Sequence, residues 1–315
     1  MNDKIADHGK NHSLGAFVSI EVPRSAMLPS ATQIAIIVTV CVIVTLLVAL
    51  FVAVMLPAAD DWHQTLRPAS FAILRGESPY SVPTYVSPPW VAVALVPLAI
   101  LPEALGRGVL FVLTVLSVAY VARRMGADRV TMALLFVSPM MLDLLLTGNV
   151  DGLLFPFFVV TLGRAGQAGM AIALLSKPQI TIVYLIWRMH RWVRLHSVRD
   201  NAIKLIYVFI VVIASFVLWG FWPIEIALRA SDFLTAGRNY FSLWPWLVPV
   251  GLVLTVKAFR ERDYRYGVGA SPFLAPYVMP YSWAVVLLMF VRDRWTMGAA
   301  VVGSWVVVLI RATGG

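Results

Sequence analysis

Apolar residues run almost unbroken from Ile34 to Leu56. At 1.5 Å per residue that run makes a helix of roughly 35 Å, enough to cross a bilayer core of about 30 Å. Directly after it comes the most polar stretch of the chain, Asp60 to Trp90, DDWHQTLRPASFAILRGESPYSVPTYVSPPW. About ten apolar runs follow one another in all. Four of them, Val91 to Leu101, Ala168 to Ser176, Ile180 to Trp187 and Phe273 to Met279, are too short to cross. The pattern predicts an all-α, polytopic helical bundle with two half-crossing hairpins, tipped at Lys177-Pro178-Gln179 and at Ser271 to Tyr277. The first outer loop, residues 57–107, carries interfacial helices and a dip at Val91 to Leu101.

Composition agrees: 60 % of the 315 residues are hydrophobic and 13 % charged, against roughly 25 % charged in a soluble domain. The single cysteine, Cys41, lies inside the first run, so no intramolecular disulfide forms. A net charge of +9 raises the question of nucleic acid, but the Lys and Arg sit in short loops between apolar runs, which is the positive-inside pattern, and no nucleic-acid partner is expected. With a cytoplasmic tail over residues 1–32, a transmembrane domain over 33–311 and a C-terminal tail over 312–315, eighteen Lys and Arg fall inside and seven outside. This topology sets Val109 to Val121 running inward, Val130 to Leu146 outward, and Leu153 to Leu162 inward again. It brings Asp60 and Asp61, the Gly148-Asn149-Val150-Asp151 turn, the Lys177 tip and the Pro223 to Ser242 loop to one side. Broken backbone at membrane depth is tolerated where protein or a water-filled cavity covers it, so a cavity is expected there.

Each polar residue has two readings. Asp61 followed by Gln64 fits a capping box opening a short helix at Trp62, and an adjacent carboxylate pair equally suits general-base work. That helix would bury Trp62, Leu66, Ala69 and Ile73, kink at Pro68 and end at Gly76. Lys177 within an apolar run either snorkels or meets an anion such as a phosphate. Asn149 and Asp151 are a solvated turn or two polar groups at one depth. No Cys/His spacing suggests zinc, and neither a phosphate-cradling Gly-rich loop nor a nucleophile elbow is present in the sequence.

The order of these strings carries a resemblance over about residues 33 to 290. An acidic residue straight after the first span is followed by GESPY (Gly76 to Tyr80), YVSPPW (Tyr85 to Trp90), Arg123-Arg124, Ser138-Pro139, GNVD, a Lys-Pro hairpin with a basic WRMHRWVR, and SPFLAPY. The chain resembles the GT-C class of membrane glycosyltransferases, and within it the bacterial polyprenol-phosphate-mannose-dependent mannosyltransferase-like family. The resemblance implies an inverting glycosyltransferase at the outer face of a bacterial inner membrane. Its partners would be a polyprenyl-phosphate sugar donor, with a hexose such as mannose, a lipid or glycan acceptor and membrane lipids; no cofactor is expected, and a divalent metal is left open. Under it Asp61, or Asp60 by one step, is the general base. Lys177, Arg238 and Gln179 are expected at the donor phosphate, and Arg67, Tyr80, Asn149, Asp151 and Tyr277 at the substrate. A transporter or flippase with the same outer cavity is the alternative, although the two-halves repeat of many transporters is missing from the sequence.

Overall fold

The computed structural model describes residues 31–56, 59–160, 164–195, 197–235 and 242–313. The chain divides into two units, residues 1–42 and 43–315. Of the first, residues 31–42 are described, and they are the opening turns of α1 (Ala31–Met55), a helix without a single charged residue. Nearly all of the expected 1–32 tail lies outside the described residues.

The described chain is helical, without a strand. Ala31–Val52, Glu103–Met125 and Arg294–Thr313 are long and apolar enough to cross a membrane, and two bent helix pairs bring the number to as many as five spans. The fold is that of an all-helical membrane protein.

After α1 the chain makes a π-helical turn over Trp62–Leu66 and runs directly into α2 (Arg67–Leu74). Pro68 sits in the first turn of α2, directly after the π-helical turn, and the helix runs on through it to Leu74. Gly76 ends the segment in the left-handed region at φ 73°, as its sequence position predicts. Trp62, Leu66 and Ala69 are buried on one face as expected. They join Tyr80, Tyr85 and α3 (Pro89–Ala99), the short apolar helix expected as a dip, in a core of their own.

α4 (Glu103–Met125) begins six residues before the expected Val109. Its Gly108 touches α1: a Cβ there would stand 2.4 Å from Ala49 Cα, so only glycine allows the two helices so close. Arg107 Nη1 donates to Leu56 O at 3.2 Å and ties α4 to the chain leaving α1. Next come α5 (Arg129–Val137), opened by an Asp128–Thr131 capping box, and α6 (Pro139–Thr147), bent from it by 61°. Pro139 is the cause, since it drives Ser138 out of the helical region to ψ 144°.

The expected span Leu153 to Leu162 is a correction. Only α7 (Asp151–Leu154) and a 3₁₀ turn over Phe155–Phe158 form there, and residues 161–163 lie outside the described residues. Pro156 has no N–H to continue an α-helix. α8 (Arg164–Leu174) and α9 (Pro178–Leu195) make the first hairpin around Ser176 and Lys177.

α10 (Val198–Trp219) and α11 (Trp222–Thr235) meet at 74° across Gly220, whose φ is 71°. The stretch expected as the loop Pro223 to Ser242 is therefore helical as far as Thr235. Its Arg229 donates to Tyr80 O and Val82 O and clamps the segment between α2 and α3. α12 (Val248–Arg260) and α13 (Tyr264–Leu274) follow, then a tip over residues 275–279, a 3₁₀ turn Pro280–Trp283, α14 (Ala284–Leu287) and α15 (Arg294–Thr313). The second hairpin is present, but α13 runs through Ser271–Leu274 and the tip starts at Ala275. α9, α12 and α13 pack together within the main core.

Candidate functional site

Three breaks in helical structure meet the segment that follows α1. Asp61 does not cap the helix at Trp62, because the helix has already begun: His63 N–H donates to Ala59 O at 2.7 Å, and the Asp61 side chain makes no capping bond. Its carboxylate is thereby released for another partner. Asn149 Nδ2 donates to Asp61 Oδ2 at 2.7 Å and to Tyr281 Oη at 2.9 Å.

The turn delivering Asn149 depends on Gly148. It ends α6 at φ 68°, and a Cβ there would meet Ala59 Cβ at 3.0 Å and Trp62 Cβ at 3.1 Å. Glycine supplies both the left-handed backbone and the room for Ala59 and Trp62. One residue further, Asn149 Oδ1 accepts from Asp151 N–H at 3.2 Å and orients its own amide.

Lys177 comes from the tip of the first hairpin, held in place by Trp90, whose Nε1 donates to Ser176 Oγ at 2.8 Å. Its ammonium lies 3.3 Å from Asp151 Oδ1, with side chains 8 % and 0 % exposed. Ser282 Oγ donates to the other oxygen of Asp151 at 2.8 Å. The lysine neither snorkels nor stands unpaired, since Asp151 is its counter-ion. Tyr281, from the second hairpin, turns its ring toward the same ammonium at 5.9 Å.

These groups line or back a cavity of about 480 Å³ bounded by Asp60, Asp61, Asn149, Lys177, Tyr277 and Tyr281 among others. Burial pushes the Asp61 carboxyl above its usual range, while the Asn149 amide and the Lys177 charge pull it back toward the ionised form. A carboxylate in that condition is a stronger base than a solvated one and still holds its proton loosely enough to exchange it.

Of the residues the sequence singles out, Asp61, Asn149, Asp151, Lys177 and Tyr277 converge here. Asp60 sits at the rim, exposed, with its carboxylate 3.5 Å from Gln64 Nε2. The upward push on Asp61 comes first from burial and then from Asp151. Gln179 is half-buried in α9 and is not part of the wall. Arg67 bonds Leu101 O at 3.4 Å and pairs with Glu103 at 3.7 Å, bracing α2 against the start of α4. Tyr80 donates to Ser87 O at 2.9 Å inside the smaller core. Arg238 lies outside the described residues.

Three contributors escape the sequence reading. Asp143 of α6 faces the cavity from inside a bent span. It had a signal, a lone carboxylate in MMLDLLL, since an ionisable group within an apolar run is a functional candidate by default. Tyr281 and Ser282, one binding Asn149 and the other Asp151, had none, because their partners lie some 130 residues away. Among the described residues no group of three or more His, Cys, Asp or Glu is gathered to hold a metal ion. Comparison of the chain with family models, with curated proteins and with solved structures finds no match.

Proposed function

We propose that the chain is an inverting glycosyltransferase of the GT-C type, moving a hexose from a polyprenyl phosphate to an acceptor hydroxyl at the outer membrane face. One observation carries the reading: Asp61, partly buried and aimed by Asn149, shares a cavity of about 480 Å³ with Lys177 where the chain leaves its first span. In the reaction the acceptor O–H gives its proton to Asp61 as its oxygen bonds the anomeric carbon. The bond from that carbon to the phosphate oxygen breaks on the opposite side, and its electron pair leaves with the polyprenyl phosphate. A positioned base supplies about 10²–10⁴-fold of the rate.

The departing phosphate gains negative charge and needs a cation, which Lys177 offers at the edge of the cavity. An apolar groove of about 260 Å³ along α8, α9 and α10, with Leu175 and Ile182 close to Lys177 in sequence, suits a prenyl tail. Asp151 and Asn149 act as positioning residues for Lys177 and Asp61.

A transporter is the second reading, and the Lys177–Asp151 pair favours it, because the lysine already has an anion without any donor phosphate. The two part on a single measurement. Purified protein is given a radiolabelled polyprenyl-phosphate hexose and a membrane extract as acceptor, and release of free polyprenyl phosphate is followed. Glycosyl transfer requires release that collapses in Asp61→Asn while donor binding persists. Binding without release in the wild-type protein would leave the transporter.

A further inference from the structure

A second polar site lies at the opposite end of α9. From Lys177 to Arg191 the helix climbs roughly 21 Å at 1.5 Å per residue, and there His190, Arg191 and Arg194 meet Phe259 and Arg262 around a pocket of about 220 Å³. We infer that this pocket binds the phosphate headgroup of an anionic membrane lipid. Nothing in the inference depends on the glycosyltransferase reading.

The charges argue for an anion. Among the described residues, three guanidiniums and an imidazole line the pocket, and no carboxylate does. The two acidic residues flanking Arg262 are engaged elsewhere: Glu261 with Lys257 at 3.7 Å, and Asp263 with Arg265 through a chelate of both oxygens. The walls are built and not merely accumulated. Arg191 lies over the Trp187 ring at 5.3 Å, and Trp187 is itself pinned by Nε1 donating to Ala258 O at 3.0 Å. His190 and Phe259 rings stand 5.4 Å apart. Arg262 enters from a backbone at φ 56°, the one non-glycine residue with positive φ among those described. Such a conformation holds only where its surroundings enforce it.

The neighbouring surface points to a lipid as the carrier of that phosphate. On α12, Leu252, Val253 and Val256 are each more than half exposed, and on α9 Ile186 and Val193 are too. These apolar flanks suit acyl chains in a bilayer, with the guanidiniums at the level where headgroups begin. Basic pockets between helices at the cytoplasmic surface bind phospholipid headgroups in this way, and guanidinium forks match phosphate oxygens in pairs. The strong Lys/Arg bias of this end sets it at the cytoplasmic leaflet.

The test uses the full-length protein in nanodiscs of phosphatidylcholine doped with phosphatidylglycerol, with retained lipids counted by native mass spectrometry after detergent release. The wild-type protein should keep phosphatidylglycerol over phosphatidylcholine. Arg191→Gln/Arg194→Gln should lose that preference by roughly tenfold or more, since each cation near an anionic surface contributes measurably. Inorganic phosphate at millimolar concentration should not displace the lipid; if it binds the pocket and competes fully, the carrier is a soluble phosphate and the lipid assignment fails. The melting temperature in pure phosphatidylcholine nanodiscs controls for folding. Equal retention by a folded double variant and the wild-type protein overturns the inference.

Discussion

The two ends of α9 use the same residue chemistry in opposite ways. At the Lys177 end the cation is buried and matched: Asp151 faces it, Ser282 holds Asp151, and Asn149 bridges from there to Asp61. At the Arg191 end the cations rest on Trp187 and around Phe259, no carboxylate among the described residues lines the pocket, and the acids flanking Arg262 are committed to other partners. A count of Lys and Arg treats both ends alike, and only the pairing separates them. A matched buried charge fixes geometry, and any ligand anion must compete with its counter-ion. An unmatched half-exposed cluster fixes little and attracts anions.

The largest expected effect breaks the matched end at its base. Asp61→Asn keeps the hydrogen bond geometry but cannot take a proton, so turnover with a polyprenyl-phosphate hexose should fall about 10²–10⁴-fold. Stability should not fall with it. Burial raises the Asp61 carboxyl above its unfolded value, so its contribution is full at low pH and is lost as pH rises through the folded value. Above that value the carboxylate carries the charge that burial disfavours, and Asn should unfold at the same temperature or slightly higher. A folded Asp61→Asn with full turnover would sink the assignment.

Next comes the ion pair. Lys177→Gln leaves Asp151 charged and almost wholly enclosed, which costs about 3–5 kcal/mol where a buried pair loses one partner. Lys177→Gln/Asp151→Asn should recover most of that loss, measured by thermal unfolding in detergent. If the single variant is as stable as the wild type, the pair is not a buried charge pair and the contrast between the two ends of α9 disappears.

Gly148→Ala should follow, at about 1–2 kcal/mol, because an L-residue is forced into the left-handed region against Ala59 and Trp62. Turnover should drop with stability, since the same turn carries Asn149 to Asp61. Loss of stability without loss of turnover would mean that the turn is a packing feature only.

How much of this was legible along the chain depended on distance in sequence. Interruptions of apolar runs are local, and so Asp61, Asn149 and Lys177 stood out: each follows or breaks a run. The hairpins and the short Pro89–Ala99 helix were legible for the same reason. Asp61 as a cap was a misreading with a clear cause, because the capping spacing assumes a helix that starts at Trp62 and this one starts before it. Leu153 to Leu162 looked apolar enough to span, yet Pro156 and the close approach of Gly152 to Thr114 break it into short turns. The Lys177–Asp151 pairing lay beyond sequence reading altogether. Both residues were singled out, but nothing local says that a hairpin tip and a turn 26 positions earlier will meet.

The smallest effect tests how the matched end tunes its base. The Asn149 amide is the strongest influence drawing the Asp61 carboxyl down against the effect of burial, ahead of Lys177. A hydrogen bond donated to the charged form favours that form, so its removal must favour the protonated one. In Asn149→Ala the acid limb of the pH profile of kcat/KM should therefore move to higher pH. The loss should be deepest at the acid end and close as pH rises and Asp61 ionises again. A positioning role alone would lower activity by the same factor at every pH, leaving the limb where it was. A limb displaced toward lower pH would mean that the group titrating in the profile is not Asp61, and the search for the base would then turn to Asp143, the other carboxylate facing the cavity from within the bundle.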